Sequence, residues 1–424
     1  VLNDEMFAIL VLMALFTTFI TTPIVLSIYK NTNDKSFRTL CKLGDLDSND
    51  KATNELRVLA CVHGPNNSPS IINLMESIRS TKKSSLKVFI MHLVEFTERS
   101  SSIILAQNAN KNGSLSFNRS SRVEWLDQLY RAFQVHSPLG QVSVLSKTTI
   151  SSLSTMHDDI CHVADGKMVT MIILLFHKRW RKVEMENEEE NNEVSQHQMV
   201  ENIGHGWRGV NQRVLKNAPC TVAILVDRGY GHGPQTLGLS TTVTQHVCVL
   251  FFGGPDDREA LELGQRISNH PAVKLTVVRF IPKYVFEGND MSHPSTSTSS
   301  EKSNNLAISK VYPQKEKELD DATMARFQSK WNGMVECVEK VASNNIMEEV
   351  LALGLSKDYD LIIVGKGSSS LVVDRQVEHE ELGPIGDILA SSIHDVVPSL
   401  LVIQQHDVLL NEQTPLSITN DNVI

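Results

Sequence analysis

The chain has 424 residues, 41% of them hydrophobic, and a formal net charge of −9 at pH 7. That length is too great for one small domain; at about 100–200 residues per domain it points to two, with enough apolar residues for real cores. The acidic balance argues against a general nucleic-acid binder, which would show a basic face, so no nucleic-acid partner is expected.

Residues 6–29, MFAILVLMALFTTFITTPIVLSIY, carry no charge. At about 1.5 Å per residue, a helix of that length crosses a hydrocarbon core of about 30 Å. Lys30, Lys35, Arg38 and Lys42 follow at once, and positive flanks favour the cytoplasmic side, which puts the rest of the chain in the cytoplasm. A secretory signal would need basic residues before the run and a small-residue cleavage site after it. Here Asp4 and Glu5 precede it, and Pro23 and Tyr29 lie near its end. Thr17, Thr18, Thr21 and Thr22 stand just ahead of Pro23, where hydroxyls can satisfy carbonyls that a proline frees in a packed, kinked helix. A chain opening on Val rather than Met fits the last span of a longer polytopic protein. Residues 31–55 read as a juxtamembrane linker.

Beyond the linker the same plan occurs twice. RVLACVHGPNN (57–67) and HVCVLFFGGPDD (246–257) each give an apolar run, then Gly-Pro, then a polar pair able to start a helix. Amphipathic helices follow, PSIINLMESIRS and DREALELGQRIS, then strand-like LKVFIMHLVEF (86–96) and VKLTVVRFIPK (273–283). Each copy continues with a polar insertion and a helix, at RVEWLDQLYRAFQVH and ATMARFQSKWNGM. QVSVLS (141–146) and MVECVEK precede helices at MHDDICHVADGK and NIMEEVLALGLS. VTMIILLF (169–176) and YDLIIVG (359–365), then PCTVAILVD (219–227) and PSLLVIQQ (398–405), complete the copies. Continuous Val/Ile/Leu runs alternating with helices indicate α/β domains with parallel sheets covered on both faces. The expected domains are 56–228, with an acidic insertion over 184–200, and 245–408, with a Ser-rich loop over 287–305; a polar tail, 409–424, closes the chain. Six glutamates in 184–193 make that run a solvated loop, and the Ser-rich loop is a candidate for phosphorylation. The six cysteines form no CxxC pair; buried free thiols in a reducing compartment account for them.

These strings carry a family resemblance. VLNDEMFAILVLMALFTTFITTPIV, ELRVLACVHGPNNSPSIINLMES, STMHDDIC (154–161), ILLFHKRW (173–180), VLFFGGPDDREAL (249–261), DLIIVGKG and ELGPIGDILAS resemble plant cation/H+ exchangers of the monovalent cation:proton antiporter-2 class. The resemblance implies a secondary active transporter rather than an enzyme, exchanging K+ or another monovalent cation for H+ in endomembranes or the plasma membrane. In that family an acidic pair in broken helices upstream does the transport. This chain would hold only the last membrane helix and the cytosolic regulatory tail, with the bilayer, the transport domain and a second copy in a homodimer as partners. The two tail domains are similar to the universal stress protein fold, some members of which bind ATP through glycines after the fourth strand and a Gly-Ser/Thr opening the last helix; backbone N–H groups there cradle phosphates.

Carried onto this chain, the pattern falls on Gly365, Lys366, Gly367 and Ser368, with Ser391 in the place of the helix-opening hydroxyl and ATP or AMP as candidate ligands. The chain departs from it at Ala390, where glycine is expected, and at Phe252-Gly253-Gly254, where the first strand usually ends in Asp. The competing reading is a Gly/Ser turn before a capped helix. His177, Lys178 and Arg179 occupy the equivalent place in the first domain, as an anion site or as a basic strand end balancing the nearby glutamates. His63, just after the first strand, is a candidate pH sensor. His157 and Cys161 share a helix face at i, i+4 but have no second pair to complete a metal site, so none is assigned. No Ser-His-Asp or Cys-His arrangement emerges. Two other readings stay open: a membrane-tethered nucleotide-binding stress-like protein, and a scaffold binding neither nucleotide nor metal.

Overall fold

Each β-rich run becomes a strand in the computed structural model, which describes residues 4–33, 55–64, 68–79, 86–97, 142–183, 197–202, 204–230, 245–282, 303–331, 335–342, 346–367, 377–391, 393 and 395–406. The first half contains β1 (Leu56–Val62), α2 (Ser68–Ile78), β2 (Leu86–Glu95), β3 (Val142–Ser151), α3 (Met156–Gly166), β4 (Met171–Leu175), α4 (His205–Asn217) and β7 (Thr221–Val226). Between β4 and α4 lies a separate antiparallel hairpin, β5 (Lys178–Val183) with β6 (His197–Asn202). The second half repeats the plan with β8 (Gln245–Phe251), α5 (Pro255–Ile267), β9 (Val273–Pro282), α6 (Ser303–Trp331), β10 (Glu336–Ala342), α7 (Ile346–Leu355), β11 (Leu361–Gly365), a 3-10 turn (Glu380–Leu382), α8 (Gly383–Ala390) and β12 (Ser399–Gln404).

Ten strands form one sheet in the order β10-β9-β8-β11-β12-β7-β4-β1-β2-β3. Within each half the pairing is parallel and the order is the same. Where the halves meet, β12 runs antiparallel to β7, from Leu400↔Val226 to Gln404↔Val222. The pairing of the two domains thus goes edge to edge through the last strand of each.

Period-2 alternation decides which helices each strand feeds. Val58, Ala60 and Val62 face one layer with Leu74 and Met75 of α2, Leu261 and Leu263 of α5, and Met324 and Phe327 of α6. Leu59 and Cys61 face the other, with Ile160 of α3, Val214 of α4, Val350 of α7 and Leu389 of α8. Both layers run unbroken from one half to the other. Polar contacts reinforce the seam: Thr221 Oγ1 donates to Glu259 Oε1 at 2.8 Å, and Gln404 Nε2 to the Leu215 carbonyl at 2.8 Å. Tyr230 Oη lies 2.8 Å from Gln245 Oε1, and Ser77 Oγ 2.7 Å from the same oxygen.

Ahead of the sheet, α1 (Asp4–Asn33) is one helix long and apolar enough to cross a membrane. Three of its threonines serve other carbonyls than the one a proline frees. Thr17, Thr18 and Thr21 donate to the carbonyls of Met13, Ala14 and Thr17 at 2.8–3.0 Å, a turn ahead of the Phe19 carbonyl that Pro23 leaves without its helical donor. The expected helix at 122–136, the acidic run 184–193, the tail 409–424 and most of the 31–55 linker, whose first three residues belong to α1, lie outside the described residues. So does most of the Ser-rich segment, although its last residues, from Ser303, belong to α6. Of the cysteines, Cys61, Cys220 and Cys248 are buried and outside any disulfide; burial pushes Cys61 and Cys248 far up, the latter to about 12, which keeps those thiols unreactive.

Candidate functional site

In the second half, Pro255 opens α5 and places Asp256 and Asp257 in its first turn. Asp257 Oδ2 accepts from the Phe252 and Gly253 amides at 2.7 and 2.9 Å, and Oδ1 from the Gly365 amide at 2.8 Å. Asp256 accepts from the Gly367 and Gln405 amides, each at 2.7 Å. Two carboxylates therefore take up the amides of Gly365 and Gly367 that a bound phosphate would need. Gly365 is required there, because a Cβ would overlap Asp257 Oδ1. Burial pushes the Asp257 carboxyl up to about 7, outweighing the three amides that pull it down. Lys366 Nζ donates to Gln404 Oε1 at 2.9 Å; burial lowers its pKa, against the pull of Asp256, Glu381 and Glu380.

The last helix starts at Gly383, where φ is +67° and a Cβ would overlap the Lys366 carbonyl oxygen. That corrects the placement of Ser391. It caps the far end of α8, about 12 Å along the axis from Gly383, and its Oγ accepts from the Ile393 amide at 3.2 Å. The structure brings Gly365, Lys366 and Gly367 together and leaves Ser391 apart; Ser368 lies outside the described residues.

His177 and Lys178 of the first half meet a segment of the second that carries several acidic residues. His177 is 2% exposed, and its Nδ1 lies 3.4 Å from Glu381 Oε1. Lys178 Nζ is 2.9 Å from Glu378 Oε1, which holds the Glu378 carboxyl below its ordinary range. Arg179 follows Lys178 in the hairpin, in register with Glu201. Arg208 on α4 completes the junction, with Nε 3.2 Å from Glu381 Oε2 and a second nitrogen donating to the Glu378 carbonyl. His379 closes it: Nδ1 is 2.7 Å from Asp387 Oδ1, and Nε2 is 3.3 Å from Glu378 Oε1. The His177 and His379 ring centroids are 5.4 Å apart. Phe176 packs edge-on to His379 and stacks on Trp180, over which the Arg228 guanidinium sits at 4.5 Å.

Sequence reasoning found the basic half of this junction and missed Arg208, Glu378, His379, Glu381 and Asp387. One signal was available, the charged string EHEEL directly before Gly383-Pro384.

His63 packs at a tilt against Trp207, with ring centroids 3.9 Å apart. Burial first, then His92, pull its pKa down to about 3, so the ring stays neutral through the cytosolic range. His157 lies 3.3 Å from Asp158 Oδ1, and among the described residues no three His, Cys, Asp or Glu side chains converge as metal ligands.

A duplicated α/β body joined edge to edge, following one membrane-length helix and carrying a buried ionic junction, defines the class of this protein. Residues 88–230 match the plant cation/H(+) antiporter domain, and residues 244–404 the plant cation/H(+) antiporter C-terminal domain. Among curated relatives, Cation/H(+) antiporter 20 of Arabidopsis thaliana is 53% identical over 416 residues, 96% of this chain and 49% of that protein. Cation/H(+) antiporter 19 of the same plant is 40% identical over 414 residues, 96% of this chain and 47% of that protein. A solved universal stress protein from Archaeoglobus fulgidus DSM 4304 aligns over 83% of this chain and 97% of its own, at 10% identity and a TM-score of 0.38. The chain belongs to the plant cation/H+ antiporter family, a lineage of transporters rather than of classical enzymes. It spans about half the length of the curated relatives it matches.

Proposed function

We propose that this chain is the regulatory part of an antiporter exchanging K+, or another monovalent cation, for H+ in cation and pH homeostasis. The observation that carries the reading is the succession of one apolar helix and both antiporter domains in a single chain. In this reading α1 lies in an endomembrane or the plasma membrane. The sheet sits on the cytoplasmic side, against a transport domain, and two copies form a homodimer. The nucleotide-binding alternative is disfavoured by Asp256 and Asp257, which hold the amides that ATP or AMP would require.

The test is cation-dependent proton flux in vesicles from cells expressing the complete reading frame that carries this sequence, with and without residues 56–406. The expected result is flux with K+ or another monovalent cation whose size or pH dependence changes several-fold when the segment is removed. Absence of flux with any alkali cation would refute the transport reading; flux indifferent to the removal would refute the regulatory one.

A further inference from the structure

Three carboxylates meet at the strand ends of the second half. Asp257 accepts the amides of Phe252, Gly253 and Gly365. Asp256 accepts those of Gly367 and Gln405, and Asp320 that of Gly254. The ends of β8, β11 and β12 are thereby tied to the start of α5. Asp257 is the most buried of the three, at 1% exposed. A carboxylate offers about four lone-pair positions. Two amides meet Oδ2 and one meets Oδ1, so a proton can add at Oδ1 without displacing any of them.

Charged groups face this carboxyl from the elements packed around it. Asp256, beside it on α5, carries the same sign. Arg258 of α5 is taken up by Glu316 and Asp320 of α6. Lys366, at the end of β11, donates to Gln404 of β12 and is under the pull of Asp256, Glu381 and Glu380. Among the described residues no cation pairs with Asp257. A buried charge without a cation costs far more than a buried acid that keeps its hydrogen bonds. Burial accordingly pushes the Asp257 carboxyl up to about 7, with Asp256 adding to the rise against the three amides. Burial raises Asp256 and Asp320 as well. A Cβ at Gly365 would overlap Asp257 Oδ1 and the α5 backbone. The contact has no slack, and Asp257 reaches water only when the end of β11 parts from α5.

We propose that Asp257 is a proton-binding site that sets how firmly the ends of β8 and β11 close on α5. With the proton bound the crevice stays shut; with the proton lost, the buried charge draws it open toward water. In the open form Asp257 is an ordinary carboxylate, so the closed form holds the proton more tightly. Opening therefore grows more frequent as pH rises toward 7 and levels off above it. Only the biological use of this response, reporting proton activity to a transporter, rests on the antiporter reading.

Hydrogen exchange by mass spectrometry on the full chain in detergent micelles tests the site without any transport measurement. After correction for the chemical rate, amides of 251–254 and 363–367 should be at least about tenfold better protected at pH 5.5 than at pH 7.5, while β1 stays unchanged. Asp257→Asn should abolish the step. Asp256→Asn removes the neighbouring like charge and should move the midpoint to lower pH; this variant decides the matter if Asp257→Asn does not fold. Equal protection at both pH values, a step that survives in Asp257→Asn, or a midpoint that stays or rises in Asp256→Asn would overturn the proposal. If exchange shows the step while vesicles show no cation-coupled flux, the antiporter reading falls and the proton site stands.

Discussion

His63 is half-buried and Asp257 fully buried, and loss of water acts on them with opposite signs. Folded His63 takes a proton only near pH 3, whereas its ordinary value is 6.5. Between those values the unfolded chain binds a proton that the folded chain refuses, so stability rises with pH. Folded Asp257 holds its proton up to about 7 against an ordinary 3.8. Over that window the folded chain keeps a proton that the unfolded chain has lost, so stability falls as pH rises. Each slope is at most about 1.4 kcal/mol per pH unit. From these two groups together, the profile between about pH 4 and 6.5 should be nearly flat. His63→Gln should tilt it downward with rising pH and Asp257→Asn upward, read as urea midpoints at half-unit intervals; variants that track the parent profile would show that neither group titrates in this way. The motif readings at this scale singled out loops in which glycine, lysine and histidine stand out along the chain. Their partners were hidden, because the amides of Gly365 and Gly367 meet carboxylates more than a hundred residues away.

Helix α8 ends on a side chain from the other half. Arg228 donates to the Leu389 and Pro398 carbonyls at 2.7 and 3.0 Å, and its own amide takes Ser399 Oγ at 2.9 Å. Burial pulls the guanidinium down to about 10, so the charge persists at neutral pH. Arg228→Met keeps the bulk but leaves two buried carbonyls without these donors. The loss should be about 2–4 kcal/mol, measured by urea unfolding of the full chain; a change below about 0.5 kcal/mol would mean that water or a neighbour replaces the donor. Elements of this kind were unevenly legible. All ten strands of the large sheet fall within two residues of an apolar run or overlap it, since continuous Val/Ile/Leu stretches suit a sheet buried on both faces. The hairpin β5–β6 was missed, because KRWRKV and HQMVEN are polar and a glutamate-rich run separates them. The start of α8 was misjudged by the resemblance. Gly383-Pro384 marks it physically, with a left-handed glycine and a proline in the first turn.

At the scale of the whole molecule, two clusters of buried side chains each draw on both halves, one on either side of the sheet. Such sharing couples the halves thermodynamically. Heating the full chain in micelles should give one cooperative transition for the sheet, with matching calorimetric and van't Hoff enthalpies. Two separated transitions, assignable to β1–β7 and β8–β12 by hydrogen exchange, would show that the halves melt independently. The duplication was readable from the repeated run–Gly-Pro–helix pattern, but the joining of the two copies was not, since β7 and β12 read like any other buried strands.

The antiparallel contact of β7 with β12 amounts to an isologous interface enclosed within one chain, an internal dyad relating two unequal sequences. That surface is no longer available to a second copy. A homodimer must therefore build another axis from different residues, and the pair would contain four half-units related by two kinds of symmetry. The end strands of the sheet, β3 and β10, differ in sequence. Joining them copy to copy would be heterologous, a contact that propagates rather than closes. The charges on β10 at Glu336, Glu339 and Lys340 stand where such growth would begin.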